Sequence, residues 1–330
     1  MDISEIGRLG LINRLTADFK PSQASTVKGA GDDAAILRYG ETSLAVATNT
    51  LVEGIHFDLT YFPLQHLGYK AATSAFSNIY AMNALPRQIF VSIAVSAKFS
   101  VEAMERLYQG IKHACERHSA DLAGGDTVPS ITGLAITVTA IGEVASEKIS
   151  FRNTAQQGDF ICASGTLGAA YMGLQILERE KKLFDDDPSF QPQIKQYAYV
   201  VGRHLRPEAR RDIVTFLSSV DLKPTAMIDI SAGLSPNILN VCNASGVGCE
   251  IYHHKIPIAE ETVAAAQEFH LEPLVVALNG GNDYELLFTI PATDYEKIAT
   301  NAEISILGYI TDRKDGCNLV TESGTKIEIK

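Results

Sequence analysis

The sequence predicts an α+β fold in two domains, and three observations carry that prediction. Strand-like and helix-like stretches mix without the strict βαβ rhythm of a doubly wound parallel sheet. A polar, weakly patterned stretch around 145 to 158, "ASEKISFRNTAQQGD", interrupts the pattern, and a fresh strand follows it. The 330 residues are 46% hydrophobic, enough for two packed cores. The expected domains are 1–147 and 148–330.

The elements follow from local chemistry. "SLAVATNT" (43–50), rich in small and β-branched residues, reads as a strand. Residues 64–84 are mostly apolar or small and read as a buried helix that stops before Pro86. "QIFVSIAVS" reads as a strand. In 100–119, Val101, Met104, Leu107, Tyr108, Ile111 and Cys115 recur at i+3 and i+4 behind an N-capping Ser100, which predicts an amphipathic helix. "LAITVTAIGEV" supplies another strand.

The second half restarts with a strand at "DFICAS", a turn at "GTLG" and a helix through "AAYMGLQILERE". The acidic, proline-bearing stretch 183–200 reads as a surface excursion. "AMIDIS" is a strand, and "SPNILNVCNAS" a short helix with Pro236 at its start and Gly246 at its end. "ELLFTI" and "ISILGYI" complete the strands.

Composition excludes some functions. A net charge of -11 lacks the basic face that nucleic-acid binding needs. Phosphate ligands stay open if divalent metal supplies the missing positive charge. Cys115, Cys162, Cys242, Cys249 and Cys317 are scattered, odd in number and without a CxxC pair. They suit a reducing cytoplasm and default to core filler, and their spacing offers no zinc site. No signal peptide and no membrane-spanning run are expected.

The chemistry starts at "VKGAGDDAAIL" (27–37), where Asp32 and Asp33 stand side by side. "GAGDDA" formally matches G-x-G-x-x-A. Two carboxylates there would repel a pyrophosphate, and "PSQASTV" before it is a poor strand, so the dinucleotide reading fails. An isolated GDD is a solvated acidic turn by default. The theme recurs, however. "LAGGDT" (122–127) puts Asp126 after Gly124 and Gly125, a turn where backbone can approach a ligand. "MIDIS" sets Asp229 near a strand end, and "GGNDYE" (280–285) repeats glycines followed by an acid. Several such segments suggest acids converging on one cation-rich pocket, where Mg²⁺ would bridge carboxylates to phosphates. His56 in "VEGIHFD" reads as a packed strand residue, the pair His253 and His254 as a solvated strand end, and Arg152 as a surface residue.

Taken in order, "GDDAAIL", "ATNTLVEGIHF", "LGYKAATSAFSNIYAMNALP", "AGGDT", "FRNTAQQGD", "SGTLGAAYMGL", "IDISAGL" and "GGNDYELLFT" resemble the thiamine-monophosphate kinases. These belong to the aminoimidazole-ribonucleotide-synthetase-like superfamily. The resemblance implies a two-domain α+β subunit that dimerises through N-terminal strands forming a shared barrel. It implies Mg²⁺-dependent transfer of the ATP γ-phosphoryl group onto thiamine monophosphate. Asp32, Asp126 and Asp229 would then be catalytic. Asp32, Asp33, Thr48, Asn49, Asn78, Asp126 and Asp229 would fall at metal positions. Gly124, Gly125, Arg152 and Ser231 would contact ATP, and His56 and Asn282 the substrate.

The sequence departs from the family's pattern at four acids. "TTD" is "ATN" at Asn49, "NLSD" is "AFSN" at Asn78, "DISDGL" is "DISAGL" at Ala232, and "GGED" is "GGND" at Asn282. The family's aromatic-bearing tail is not visible before Lys330. Each lost carboxylate removes a Coulomb attraction on the order of several kcal/mol at short range. Two readings follow: a kinase with fewer metals, or a paralogue that binds nucleotide or thiamine phosphate in a regulatory role.

Overall fold

The computed structural model describes residues 3–329; Met1, Asp2 and Lys330, at the outer ends of the two expected domains, lie outside the described residues. The first half runs α1 (Ile3–Thr16, broken at Gly7), β1 (Thr26–Lys28), β2 (Ala35–Tyr39), β3 (Thr42–Val52) and α2 (Leu64–Tyr80). It continues with β4 (Leu85–Ser96), α3 (Val101–His118), β5 (Asp121–Ser130) and β6 (Ala135–Ala145). The second half runs β7 (Phe160–Ser164), α4 (Ala169–Asp186), α5 (Ala198–Leu205), α6 (Arg211–Ser219), β8 (Ala226–Ile230) and α7 (Leu234–Ser245). Then come β9 (Gly248–Tyr252), α8 (Glu260–Glu268), α9 (Pro273–Asn279), β10 (Glu285–Ile290), α10 (Tyr295–Ile298), β11 (Ile304–Thr311), β12 (Cys317–Val320) and β13 (Lys326–Glu328).

The first sheet has the order β1-β2-β3-β6-β4-β5, antiparallel except for the parallel β4–β5 pair. It is open, with β1 and β5 as its edges. One face is apolar and buried: Ala45, Ala47 and Leu51 of β3 alternate with the exposed Thr48, Thr50 and Val52. The helices α2 and α3 cover that face, and two glycines let them close on each other. A Cβ on Gly68 would sit 1.9 Å from Leu107 O, and one on Gly110 would sit 1.8 Å from Gln65 O. Larger residues would force the helices apart and open a void costing a few kcal/mol. The expected cap is present, with Ala103 N–H donating to Ser100 Oγ at 3.2 Å.

The second sheet, β13-β12-β9-β11-β7-β10-β8, is antiparallel apart from the parallel β12–β9 pair. Its strands β8 and β10 are buried on both faces, while the edge strand β13 is exposed. Cys162, Leu286 and Phe288 face a core shared with the first domain, and Ile161, Ile228 and Leu287 face a second core under α7. The shared core joins the halves. In it Lys70 Nζ of α2 donates to His204 O of α5 at 3.1 Å, and Tyr69 donates to Glu208 at 2.9 Å.

Four local expectations need correction. "LAGGDT" is not a turn: it lies inside β5, because pairing with β4 holds its glycines extended. The excursion at 183–200 starts later, since α4 continues to Asp186. The helix at "SPNILNVCNAS" begins at Leu234, two residues before Pro236. His253 and His254 open a short 3-10 turn rather than end a strand.

Candidate active site

The acidic pair sits in the loop entering β2, anchored by the buried Ala34 and Ile36. Arg152, from the segment joining the two sheets, folds over it. Arg152 Nε donates to Asp32 Oδ1 at 3.1 Å, its backbone N–H to Asp32 Oδ2 at 3.3 Å, and its Nη2 lies 2.9 Å from Asp33 Oδ1. The Arg152 side chain is 14% exposed, so its reading as a surface arginine fails. The cause is tertiary: Phe151 O accepts from Met227 N–H and Arg152 O from Ser245 Oγ, which staples this segment to β8 and α7.

One guanidinium does not balance the acids around it. Burial first, and then the charge of Asp229, push the Asp33 carboxyl well above its ordinary range; Arg152 opposes them and Asp32 adds to them. Asp33 Oδ2 is buried with no hydrogen-bond partner. Such an oxygen is a ready ligand for a hard divalent cation, which binds oxygen and retains water where ligands are few. As they stand, Asp32, Asp33 and Asp229 do not bring three oxygens within 4.8 Å of one another, so water would complete the set.

Asp229 stands buried at the end of β8 and accepts from Ser231 Oγ at 2.8 Å. The "GGNDYE" loop returns onto this strand end. Asn282 N–H donates to Ser231 O at 2.8 Å and Tyr284 N–H to Ile230 O at 3.0 Å. Asn282 and Tyr284 hold left-handed φ values of 60° and 55°, strain typical of functional turns. Gly281 fits because a Cβ there, already at φ 72°, would lie 2.8 Å from Ser231 O. Asp283, the acid of the "GGNDYE" theme, does not face the other acids but turns inward. It accepts from Gly168 and Ala170 N–H groups at the start of α4, and burial pushes its carboxyl up to about 6.

Asn49 and Asn78 form a separate polar pair. Asn49, on the helix-facing side of β3, donates to Ser74 O at 3.0 Å, and Asn78 Nδ2 donates to Asn49 Oδ1 at 2.9 Å. The adjacent Thr48 points to the other face, where its hydroxyl meets Thr139 at 2.9 Å. Asp126 lies on the edge strand β5 and accepts from Thr127 N–H at 2.8 Å. With Gly124, Gly125 and Thr127 it lines a hollow of about 450 Å³. Tyr108 of α3 also lines that hollow; helical spacing marked it only as core.

His56 is exposed in the turn after β3, its Nδ1 accepting from Val52 N–H at 3.0 Å, so the packed-strand reading fails. Within one chain the structure thus gathers Asp32, Asp33, Arg152, Asp229, Ser231 and Asn282 along the seam between the halves. Thr48 lies on the opposite face of β3, His56 in the turn after it, and Gly124, Gly125 and Asp126 on the edge strand β5. The Asn49–Asn78 pair lies between β3 and α2, a helix that also packs against β8.

The AIR synthase related protein, N-terminal domain family matches residues 31–144, and its C-terminal domain family matches 156–317. The thiamine-monophosphate kinase of Aquifex aeolicus (strain VF5) is 33% identical over 92% of this chain and 92% of its own. That of Bacillus subtilis (strain 168) is 31% identical over 86% of each. A structure of AaThiL complexed with AMPPCP and TMP aligns with 100% of this chain and 97% of its own, at 30% identity and a TM-score of 0.84.

Proposed function

From a chain that belongs to the thiamine-monophosphate kinase family, within the AIR synthase related proteins, we infer ATP-dependent phosphorylation of thiamine monophosphate to thiamine diphosphate. The observation that carries this reading is the cluster of Asp32, Asp33 and Asp229 around one guanidinium, with a carboxylate oxygen left unpartnered.

Asp32, Asp33 and Asp229 would hold Mg²⁺. Bound there, the ion neutralises phosphate charge and aligns the attacking and leaving oxygens. The chain's own groups do the rest. Arg152 turns from the acids toward a phosphate, which its planar fork matches. Gly124 and Gly125 allow nucleotide to lie close to the backbone, and Tyr108 offers an aromatic face to the base. Ser231 and Asn282 present polar atoms at the end of β8, and the exposed His56 reaches substrate.

The working unit in this reading is a cytoplasmic homodimer, in keeping with five free cysteines. Its support is the uncovered face of the first sheet and the edge strand β5, exposed almost end to end, with Phe90, Leu122 and Val128 all at 39% or more. Two such sheets would close into a shared barrel and carry Asp126 and Thr48 into an enclosed space.

A second reading, a binding protein with impaired transfer, has its own support. Asn49 and Asn78 satisfy each other by a hydrogen bond, which two ionised carboxylates could not do. The test is incubation with ATP, Mg²⁺ and thiamine monophosphate, following thiamine diphosphate. Turnover supports the first reading. Binding of both substrates without product supports the second, and binding of neither sinks both.

A further inference from the structure

The second sheet holds a constellation that phosphoryl transfer leaves unused. Cys242 near the end of α7, Cys249 on β9 and Cys317 at the start of β12 bring their sulfurs within 4.8 Å of one another. The sequence marked these three as scattered core filler; topology instead brings them together.

The convergence is built by backbone. Gly246 ends α7 in the left-handed region at φ 71°, and Val247 N–H returns to Cys242 O at 3.0 Å, so β9 starts beside the helix end. Cys317 lies opposite Cys249 across the parallel β12–β9 ladder, so the two side chains leave the same face of the sheet. Cys249 N–H donates to Gly316 O at 3.0 Å. A Cβ on Gly248 would lie 2.4 Å from that same oxygen, so glycine is what lets β12 close onto β9. Cys242 and Cys249 are buried among Ile238, Val241 and Ile251, while Cys317 is half-buried and marks the side open to entry.

Three sulfurs bound to one metal at about 2.3 Å stand roughly 4 Å apart, so this cluster needs only a small contraction. Sulfur donors select soft ions. Among the described residues the group contains no fourth His, Cys, Asp or Glu. Zinc, which is almost always four-coordinate in structural sites, would need a ligand from outside. Cu(I) is satisfied by three sulfurs in a plane. We propose that Cys242, Cys249 and Cys317 form a three-sulfur site for a soft, thiophilic metal ion, occupied by Cu(I).

The site is separate from the acidic cluster. β9 and β8, which carries Asp229, are four strand spacings apart in the sheet order, roughly 19 Å. Its test is independent of kinase activity.

The reduced full chain is titrated anaerobically against the coloured Cu(I)–bicinchoninate complex, and X-ray absorption is recorded on the copper-loaded protein. The expected result is one Cu(I) withdrawn per chain, with three sulfur neighbours. Cys242→Ser and Cys317→Ser should each weaken uptake at least tenfold. Cys115→Ser, in the other domain, should leave it unchanged. Circular dichroism of Cys317→Ser, the variant at the least buried position, checks that the fold is retained. Equal uptake by parent and Cys317→Ser overturns the proposal. So does coordination by fewer than three sulfurs, or uptake of Zn²⁺ in place of Cu(I).

Discussion

Arg152 Nη2 lies 2.9 Å from Asp33 Oδ1, yet the other oxygen of that carboxylate is buried and bonded to nothing. The guanidinium is shared with Asp32, and Asp229 adds a third negative charge. The protein therefore holds an electrostatic deficit at the seam between its two sheets. Removing Arg152, the cation that bridges this pair, should expose that deficit. Arg152→Ala is expected to cost about 3–5 kcal/mol of stability, as breaking a buried ion pair does. Arg152→Lys should recover only part, since an ammonium cannot serve both acids in fork geometry. Denaturant midpoints measure both, and an unchanged midpoint for Arg152→Ala would refute the clamp.

The raised Asp33 carboxyl makes a prediction of opposite sign. The folded state holds this proton to higher pH than the unfolded chain, so folding loses stability as pH rises above 3.8 toward the folded value. Asp33→Asn should therefore raise the melting temperature at pH 7 while weakening Mg²⁺-dependent nucleotide binding. Mg²⁺ should stabilise the parent more than the variant. A variant that melts lower, or responds equally to Mg²⁺, contradicts this.

Asn49 and Asn78 supply a test of gain rather than loss. Because Asn78 donates to Asn49 at 2.9 Å, two carboxylates placed there would lie within reach of a common cation. Asn49→Asp with Asn78→Asp should destabilise the metal-free protein by like-charge repulsion and make its melting temperature depend steeply on Mg²⁺. With Ala232→Asp added, thiamine diphosphate formation should rise at least severalfold over the parent. A triple variant no faster than the parent would show that these neutral positions do not limit transfer.

What the sequence disclosed depended on how local the cause was. The alternation in β3, the helical spacing of α3 and the Ser100 cap are set within a few residues and read directly. Arg152 looked like a surface residue because its neighbours are polar; its burial comes from the chain folding back on β8 and α7. "LAGGDT" looked like a turn because glycine disfavours strands, and only the ladder with β4 makes it one. The motif residues on the "GDD", "MIDIS" and "GGND" segments do gather at one seam. Asp126 does not join them within a single chain. The cysteine cluster was invisible, since Cys249 and Cys317 meet only through a parallel pairing of distant strands.

Lys70 gives a stability prediction away from the acids. It is fully buried in α2, and burial lowers its ammonium from 10.5 to about 7. Between those values the unfolded chain binds the proton that the folded one has lost, so stability rises with pH across that window. The penalty below it is on the order of 4 kcal/mol. Lys70→Met, similar in length, should flatten the slope between pH 7 and 10.5 and raise the midpoint at pH 7. His204, also buried and held neutral by burial and by Lys70, titrates below this window and leaves the slope intact. Burial holds the thiols of Cys115 and Cys162 protonated, which opposes this slope at the alkaline end. The deciding comparison is therefore with Lys70→Met: identical pH profiles for parent and variant would rule this out.

The edge strand β5 sets the last prediction. Phe90, at 39% exposure on β4, and Val128, at 44% on β5, leave apolar area uncovered beside an unpaired ladder. Proteins generally cover such an edge or blunt it with charge; β5 carries Asp121 and Asp126, but among the described residues no strand pairs with its outer side. A second copy covering it would give a particle of twice 35.7 kDa by light scattering. Val128→Lys places a charge there at little cost to the isolated fold, because its side chain is already exposed. It should shift the mass toward one chain while keeping the melting temperature of the separate subunit. It should also lower thiamine diphosphate formation, because Asp126 and the hollow beside Tyr108 would then stay open to water. A parent that scatters as a single chain removes the dimer, and with it the route by which Asp126 reaches an enclosed site.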